Sequence, residues 1–305
     1  MGLDRAALIQ GPAKIGWDSA TFFSEGNITV EYEVTRNDRP VSGFGVVARP
    51  MADKMFRVRA TLTQWDNLAK LFPYASTPIG TNVFGTADKP LVITPIDGAP
   101  LTLANAAITQ MPNLSLGVSG SPLGEVVWTG LIANEAEADA LASYLSSGTV
   151  ASGVGLSGLD TTKILNDAYS AVYNSVTYLS EIPFAVNWAL DLQPRTVEGL
   201  GTVAMIFAGL SATATFRPVG MTEAAYLALM GLGTGLGREP TRYPLTIAGK
   251  NAGSPTVTLN ACAVEPGSTI YGASDNRHGD LNFTTVRTQT AGALDALFTV
   301  GAVGA

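Results

Sequence analysis

Apolar and polar residues alternate one for one in many short runs of this chain, while helical spacing is confined to a few brief stretches. In Ile28–Val34, Ile28, Val30, Tyr32 and Val34 fall on one face and Thr29, Glu31 and Glu33 on the other, the spacing of a half-buried strand. Phe184 to Leu190 reads the same way. Short helices are predicted at Leu62–Leu71 and Met221–Met230, each opened by a threonine cap. Two more are predicted: Asn134–Leu145, with Asn134 as cap and acidic first turns, and Asp160 to about Tyr169. Glycine and proline punctuate the rest, and no strand–helix–strand rhythm of a parallel sheet is apparent. The expected fold is mainly β: antiparallel sandwich or barrel layers with flanking helices.

The runs recur in order. Trp17-Asp-Ser-Ala-Thr-Phe-Phe-Ser-Glu25 aligns with Tyr173-Asn-Ser-Val-Thr-Tyr-Leu-Ser-Glu181, and the alternating strands follow without a gap. Pro90–Ile93 then aligns with Pro244–Ile247, Thr102–Ile108 with Thr258–Val264, and Gly124–Thr129 with Gly279–Thr284. Several blocks in one order at nearly constant spacing predict a tandem duplication. The uncharged Gly/Ser-rich stretch Ser146–Gly158 reads as a strap between the copies. The expected organisation is a first domain over 1–146, a linker over 147–159 and a second domain over 160–305.

Composition narrows the chemistry. A formal charge of −7 is the wrong sign for gripping phosphates, so sequence-general nucleic-acid binding is not expected. One cysteine and one histidine exclude a disulfide framework and any Cys/His zinc site within the chain. No cofactor is expected. His278 lies in a polar turn that has no histidine in the other copy, Cys262 reads as a small buried hydrophobe, and Gly231–Gly237 fits neither phosphate-loop spacing. These residues predict no enzyme. Neither a secretion signal nor a membrane-spanning run is expected, since the Gly199–Leu210 stretch falls short of the ~20 apolar residues needed. A positive mean hydropathy with only 14% charged residues points to an obligate oligomer that covers leftover apolar surface.

With these features in place, the chain resembles the major tail tube proteins of long-tailed bacteriophages. The resemblance rests on the Gly11–Phe23 stretch, on Ser24-Glu-Gly before the alternating strand, on the polar hairpin Arg36–Arg39, and on the Leu62–Leu71 segment, each recurring in the second copy. It implies tandem β-sandwich domains with flanking helices, assembled as stacked trimeric, pseudo-hexameric rings into a hollow tube that conducts DNA. The implied partners are further copies of the chain, tail terminator, baseplate or tip proteins and the tape measure protein. DNA would pass without specific binding. The implied location is the virion tail, after synthesis in the host cytoplasm.

On this resemblance, Thr29, Glu31 and Glu33, with Asn187 and Asp191 in the second copy, are candidate lumen residues, because carboxylates repel a sliding polyanion. An outer solvated face is the alternative. Arg36, Asp38, Arg39, Gly43, Gly45, Arg49, Asp53, Lys54 and Arg57 are candidate inter-ring or inter-subunit loop residues. Rival readings are a terminator or baseplate ring, a carbohydrate-binding adhesin using Trp17, Trp65 and Trp128, and a hydrolase using His278.

Overall fold

In the computed structural model, which describes residues 10–63, 67–97, 99–118, 123–131, 145–147, 167–197, 200–229, 240–251, 254–265, 279–290 and 293–302, the alternating runs become antiparallel strands. The first half contributes β1 (Gln10–Trp17), β2 (Ala20–Phe23), β3 (Thr29–Arg36), β4 (Arg39–Val41), β5 (Gly45–Ala48) and β6 (Met51–Thr61). It continues with β7 (Lys89–Asp97), β8 (Leu101–Gln110), β9 (Leu114–Leu116), β10 (Glu125–Gly130) and β11 (Leu145–Ser147). The second half contributes β12 (Tyr169–Tyr173), β13 (Val176–Tyr178), β14 (Phe184–Val197), β15 (Gly201–Phe216) and β16 (Tyr243–Gly249). After these come β17 (Pro255–Val264), β18 (Leu281–Thr285), the small pair β19 (Gln289–Thr290) and β20 (Ala293–Leu294), and β21 (Phe298–Ala302). The protein is mainly β, with several antiparallel sheets.

The two large sheets repeat one another strand for strand. The first runs β2-β1-β7-β8-β10-β6-β3 with β11 beside β8; the second runs β13-β12-β16-β17-β18-β15-β14 with β21 beside β17. Registers agree as well. Leu91 sits opposite Leu103 as Leu245 sits opposite Leu259, each pair following a register shift after Lys89 or Tyr243. The ribbon β3–β6 breaks register between Thr35 and Arg36, and β14–β15 breaks at the matched place, between Asp191 and Leu192. Both sheets also close on themselves through matched bonds: the Glu25 amide donates to the Thr61 carbonyl at 2.7 Å, and the Glu181 amide to the Arg217 carbonyl at 3.0 Å.

Local chemistry explains the matched starts. Asp18 and Ser19, like Asn174 and Ser175, hold positive φ, which lets a two-residue hairpin turn follow the natural twist of its strands. Beside each turn a large ring reaches the same carbonyl position of its sheet. Trp17 Nε1 donates to the Ala106 carbonyl at 3.5 Å, and the Tyr173 hydroxyl donates to the Cys262 carbonyl at 3.1 Å. Burial pushes the Tyr173 hydroxyl up to about 12.

The predicted helices fare unequally. In the second half α1 (Glu223–Leu229) forms, and Thr222 caps it: its Oγ1 accepts from the Ala225 amide and its carbonyl from the Tyr226 amide. In the first half Leu62 and Thr63 stay in the sheet, because Leu62 bridges Ser24 and the Thr63 amide donates to the Phe23 carbonyl. Among the described residues of that segment, Leu68–Leu71 turns as a 3-10 helix. Most of Asn134–Leu145 and of Asp160–Tyr169 lies outside the described residues, but Leu145 opens β11 and Tyr169 opens β12. Ser147, expected to begin the linker, still pairs with Leu101.

The halves interlock instead of sitting apart. β9, from the first half, pairs with the outer edge of β14, Leu116 opposite Phe184 and Leu114 opposite Val186. The Gly80–Val83 segment pairs with β15: amides of Gly80 and Val83 donate to the carbonyls of Phe207 and Met205, each at 2.8 Å. Phe72 packs against Trp188 and Phe298, with ring centroids 5.0 and 5.6 Å apart. One continuous hydrophobic cluster results, in which Trp128 and its counterpart Phe283 are fully buried.

Candidate assembly surfaces

The ribbon β3–β6 carries most of the candidate site residues. Glu31 lies opposite Arg57 in register and accepts from Arg59 Nε at 3.1 Å, while Arg59 Nη1 reaches Glu125 at 3.2 Å and Arg57 Nη1 reaches Glu33 at 3.2 Å. The hydrogen bond that Arg59 donates to Glu31, backed by the one to Glu125, raises the Arg59 pKa against the opposing effect of burial. The expected open row of carboxylates is therefore a ladder in which two arginines offset most of the charge of three glutamates. Both Glu31 and Glu33 are only half-buried, so each pair contributes at most about 1 kcal/mol.

Alternation also weakens along β3. Ile28 and Val30 pack against the core, but Tyr32, expected on the buried face, is 44% exposed and stacks on Phe56 at 4.9 Å. Beyond Val30 the ribbon runs past the layer that would cover it. In the second half Asn187 and Asp191 lie on an exposed face of β14 with Ala189 between them. By register Asn187 stands where Glu31 stands, and Asp191 where Thr35 stands. Arg57 and Arg59 are replaced there by Thr213 and Thr215.

The loop candidates separate into three groups. At the tip, Asp38 pairs with Arg49 at 3.0 Å, and Arg36 and Arg39 flank them in exposed positions. Gly43 and Gly45 hold positive φ in the turn joining β4 to β5, beside Phe44, which is 82% exposed. Lys54 and Arg57 lie on β6 itself, not in a loop. Asp53 is taken up inside the chain: its Oδ1 accepts from the Thr202 amide at 2.8 Å and its Oδ2 from the Thr202 hydroxyl at 2.6 Å. Gly201 makes that approach possible, since a Cβ there would lie 2.5 Å from Asp53 Oδ1.

Other residues bear on the rival readings. Trp17 and Trp128 are buried in the core, so neither is a platform for a sugar ring; Trp65 lies outside the described residues. His278 and Gly231–Gly237 also lie outside them. Cys262 is fully buried, and burial pushes its thiol up to about 12, which leaves it unreactive at neutral pH. A hollow of about 430 Å³ beside Trp17 and Tyr74 contains Lys70, whose ammonium is already held by the backbone carbonyl and the carboxylate of Asp18. In a second hollow, of about 280 Å³, Asp167 accepts from Ser254, Asn251 and the Ala168 amide. Among the described residues no group of three or more His, Cys, Asp or Glu side chains is placed to hold a metal ion. No helix among them is long and apolar enough to cross a membrane.

What sequence reading missed is the surface between the halves: β9, the Gly80–Val83 segment and Phe72. These segments are too short to carry a period, and only the repeated dyad Leu114-Ser-Leu116 hints at a strand. No protein-family model matches the chain, and its sequence matches no curated protein.

Proposed function

We propose that the chain is a structural protein of a phage virion that assembles as stacked, trimeric and pseudo-hexameric rings forming a hollow tail tube. The observation carrying this reading is the strand-for-strand agreement of the two sheets, with matched registers and matched bulges at Thr35/Arg36 and Asp191/Leu192. A chain with two near-identical units side by side occupies two neighbouring positions of one ring, so three chains supply six. In this reading the halves are the two tube-type domains, and DNA moves through the lumen without being gripped, in keeping with the net charge of −7.

The β4–β5 tip, with its exposed Phe44 and the Asp38–Arg49 pair, would contact the next ring or a terminator or baseplate protein. The ladder of Glu31, Glu33 and Glu125 with Arg57 and Arg59 leaves that face weakly negative, which suits a wall that does not hold phosphates. Electron microscopy of the concentrated protein tests the reading. Hollow filaments with threefold or pseudo-sixfold rings are expected; isolated rings that never stack favour a terminator or baseplate role, and monodisperse single chains overturn it.

A further inference from the structure

Among the described residues, the second half is covered at three places where the first half is open. On β15, Phe207 is fully buried, between Tyr74 of the first half, whose ring lies 5.8 Å away, and Arg287 of the second half at 5.2 Å; its register counterpart Met51 is 52% exposed. Trp188 packs against Phe72 of the first half at 5.0 Å and Phe298 of its own half at 4.2 Å, whereas its counterpart Tyr32 is exposed. The outer edge of β14 is paired with β9, whereas among the described residues no strand pairs with the outer edge of β3. Among the described residues the first half thus leaves open the backbone surface that the second half has covered, with Arg36 and Lys54 there in place of Leu192 and Leu210.

We infer that a second copy of this chain docks on the first half, receiving on the β3 edge and the Tyr32–Met51 face the same kind of cover that the first half gives β14 and β15. The occupant follows from continuity with the contact already made within the chain. The backbone it must cover has the same register and the same bulge at Thr35/Arg36 as at Asp191/Leu192, and the contact made one unit away supplies the pattern for its cover. Such a joint is head-to-tail: the receiving surface belongs to the first half and the donating surface to the second half of the next copy, so it repeats until a ring closes. The inference rests on the self-assembling reading above and names the surface that assembly would use.

Backbone direction supplies a selective probe. The Trp188 amide points outward, donating to Asn113 Oδ1 at 3.3 Å, and amides two residues apart in a strand point the same way. In β3 the outward amides are therefore those of Val30 and Tyr32. Proline at Val30 removes an outward donor while leaving the β3–β6 ladder its bonds.

The experiment measures self-association of the full chain by light scattering, with hydrogen exchange on free and assembled protein. The expected results are slower exchange at Val30 and Tyr32 on assembly, and a half-assembly concentration raised about tenfold or more by Val30→Pro and by Tyr32→Glu. Should Val30→Pro misfold by circular dichroism, Tyr32→Glu and the exchange data decide. Unchanged association in the folded variants, with unchanged exchange at β3, overturns the inference and leaves the ring reading standing. A wild-type chain that stays single up to about 1 mM overturns both.

Discussion

The ribbons β3–β6 and β14–β15 have one geometry and two surfaces. Arg36 and Lys54 in the first stand where Leu192 and Leu210 stand in the second, and the leucines pack against the shared core. On the other face, Glu31 and Glu33 with their arginines stand where Asn187, Ala189 and two threonines stand. Strand order and register survive this exchange of charge for apolar or neutral groups. The comparison teaches that the backbone plan is specified by the buried positions, such as Trp128 and Phe283, while each outer face takes its chemistry from what lies against it.

The equivalence of the two cores can be broken most severely by truncation. Trp128→Ala and Phe283→Ala are each expected to cost about 3–5 kcal/mol in urea unfolding, because both leave large cavities in matched places. A loss confined to one of them would mean that the halves differ in packing despite their common register. Glycines come next. Gly43 and Gly201 both hold positive φ, but only Gly201 is pressed against Asp53. Gly43→Ala should cost about 1–2 kcal/mol and Gly201→Ala about 2–4 kcal/mol, since the latter also displaces the carboxylate from Thr202. Equal melting temperatures for the two variants would remove Asp53 from the contact between halves. The smallest effect belongs to the ladder: Arg59→Ala should cost no more than about 1 kcal/mol, less in high salt, whereas Thr215→Ala at the matched place should show no salt dependence.

Much of this plan was legible in the sequence because local patterns recorded it. The aligned blocks Pro90–Ile93 and Pro244–Ile247 do occupy matched strands, and Thr222 does cap a helix. Reading failed where long-range pairing overrode a local signal. Leu62 and Thr63 have a helix-opening pattern, but the Phe23 carbonyl and Ser24 hold them in the sheet. Tyr32 sits on the apolar side of its alternation, yet among the described residues it stays 44% exposed. Period identifies a face; it does not say whether anything is there to meet it. The pairing of Glu31 with Arg59 was likewise invisible, because it joins side chains on strands separated by a hairpin of unknown register.

The edge pairing of β9 with β14 joins two units that belong to one polypeptide. Covalent tethering keeps those units at a high effective concentration, so half of the joints in any closed assembly are made before two molecules ever collide. In the ring proposed above, closing six positions would take three chains instead of six, which would lower the molecularity of nucleation and make assembly less sensitive to dilution.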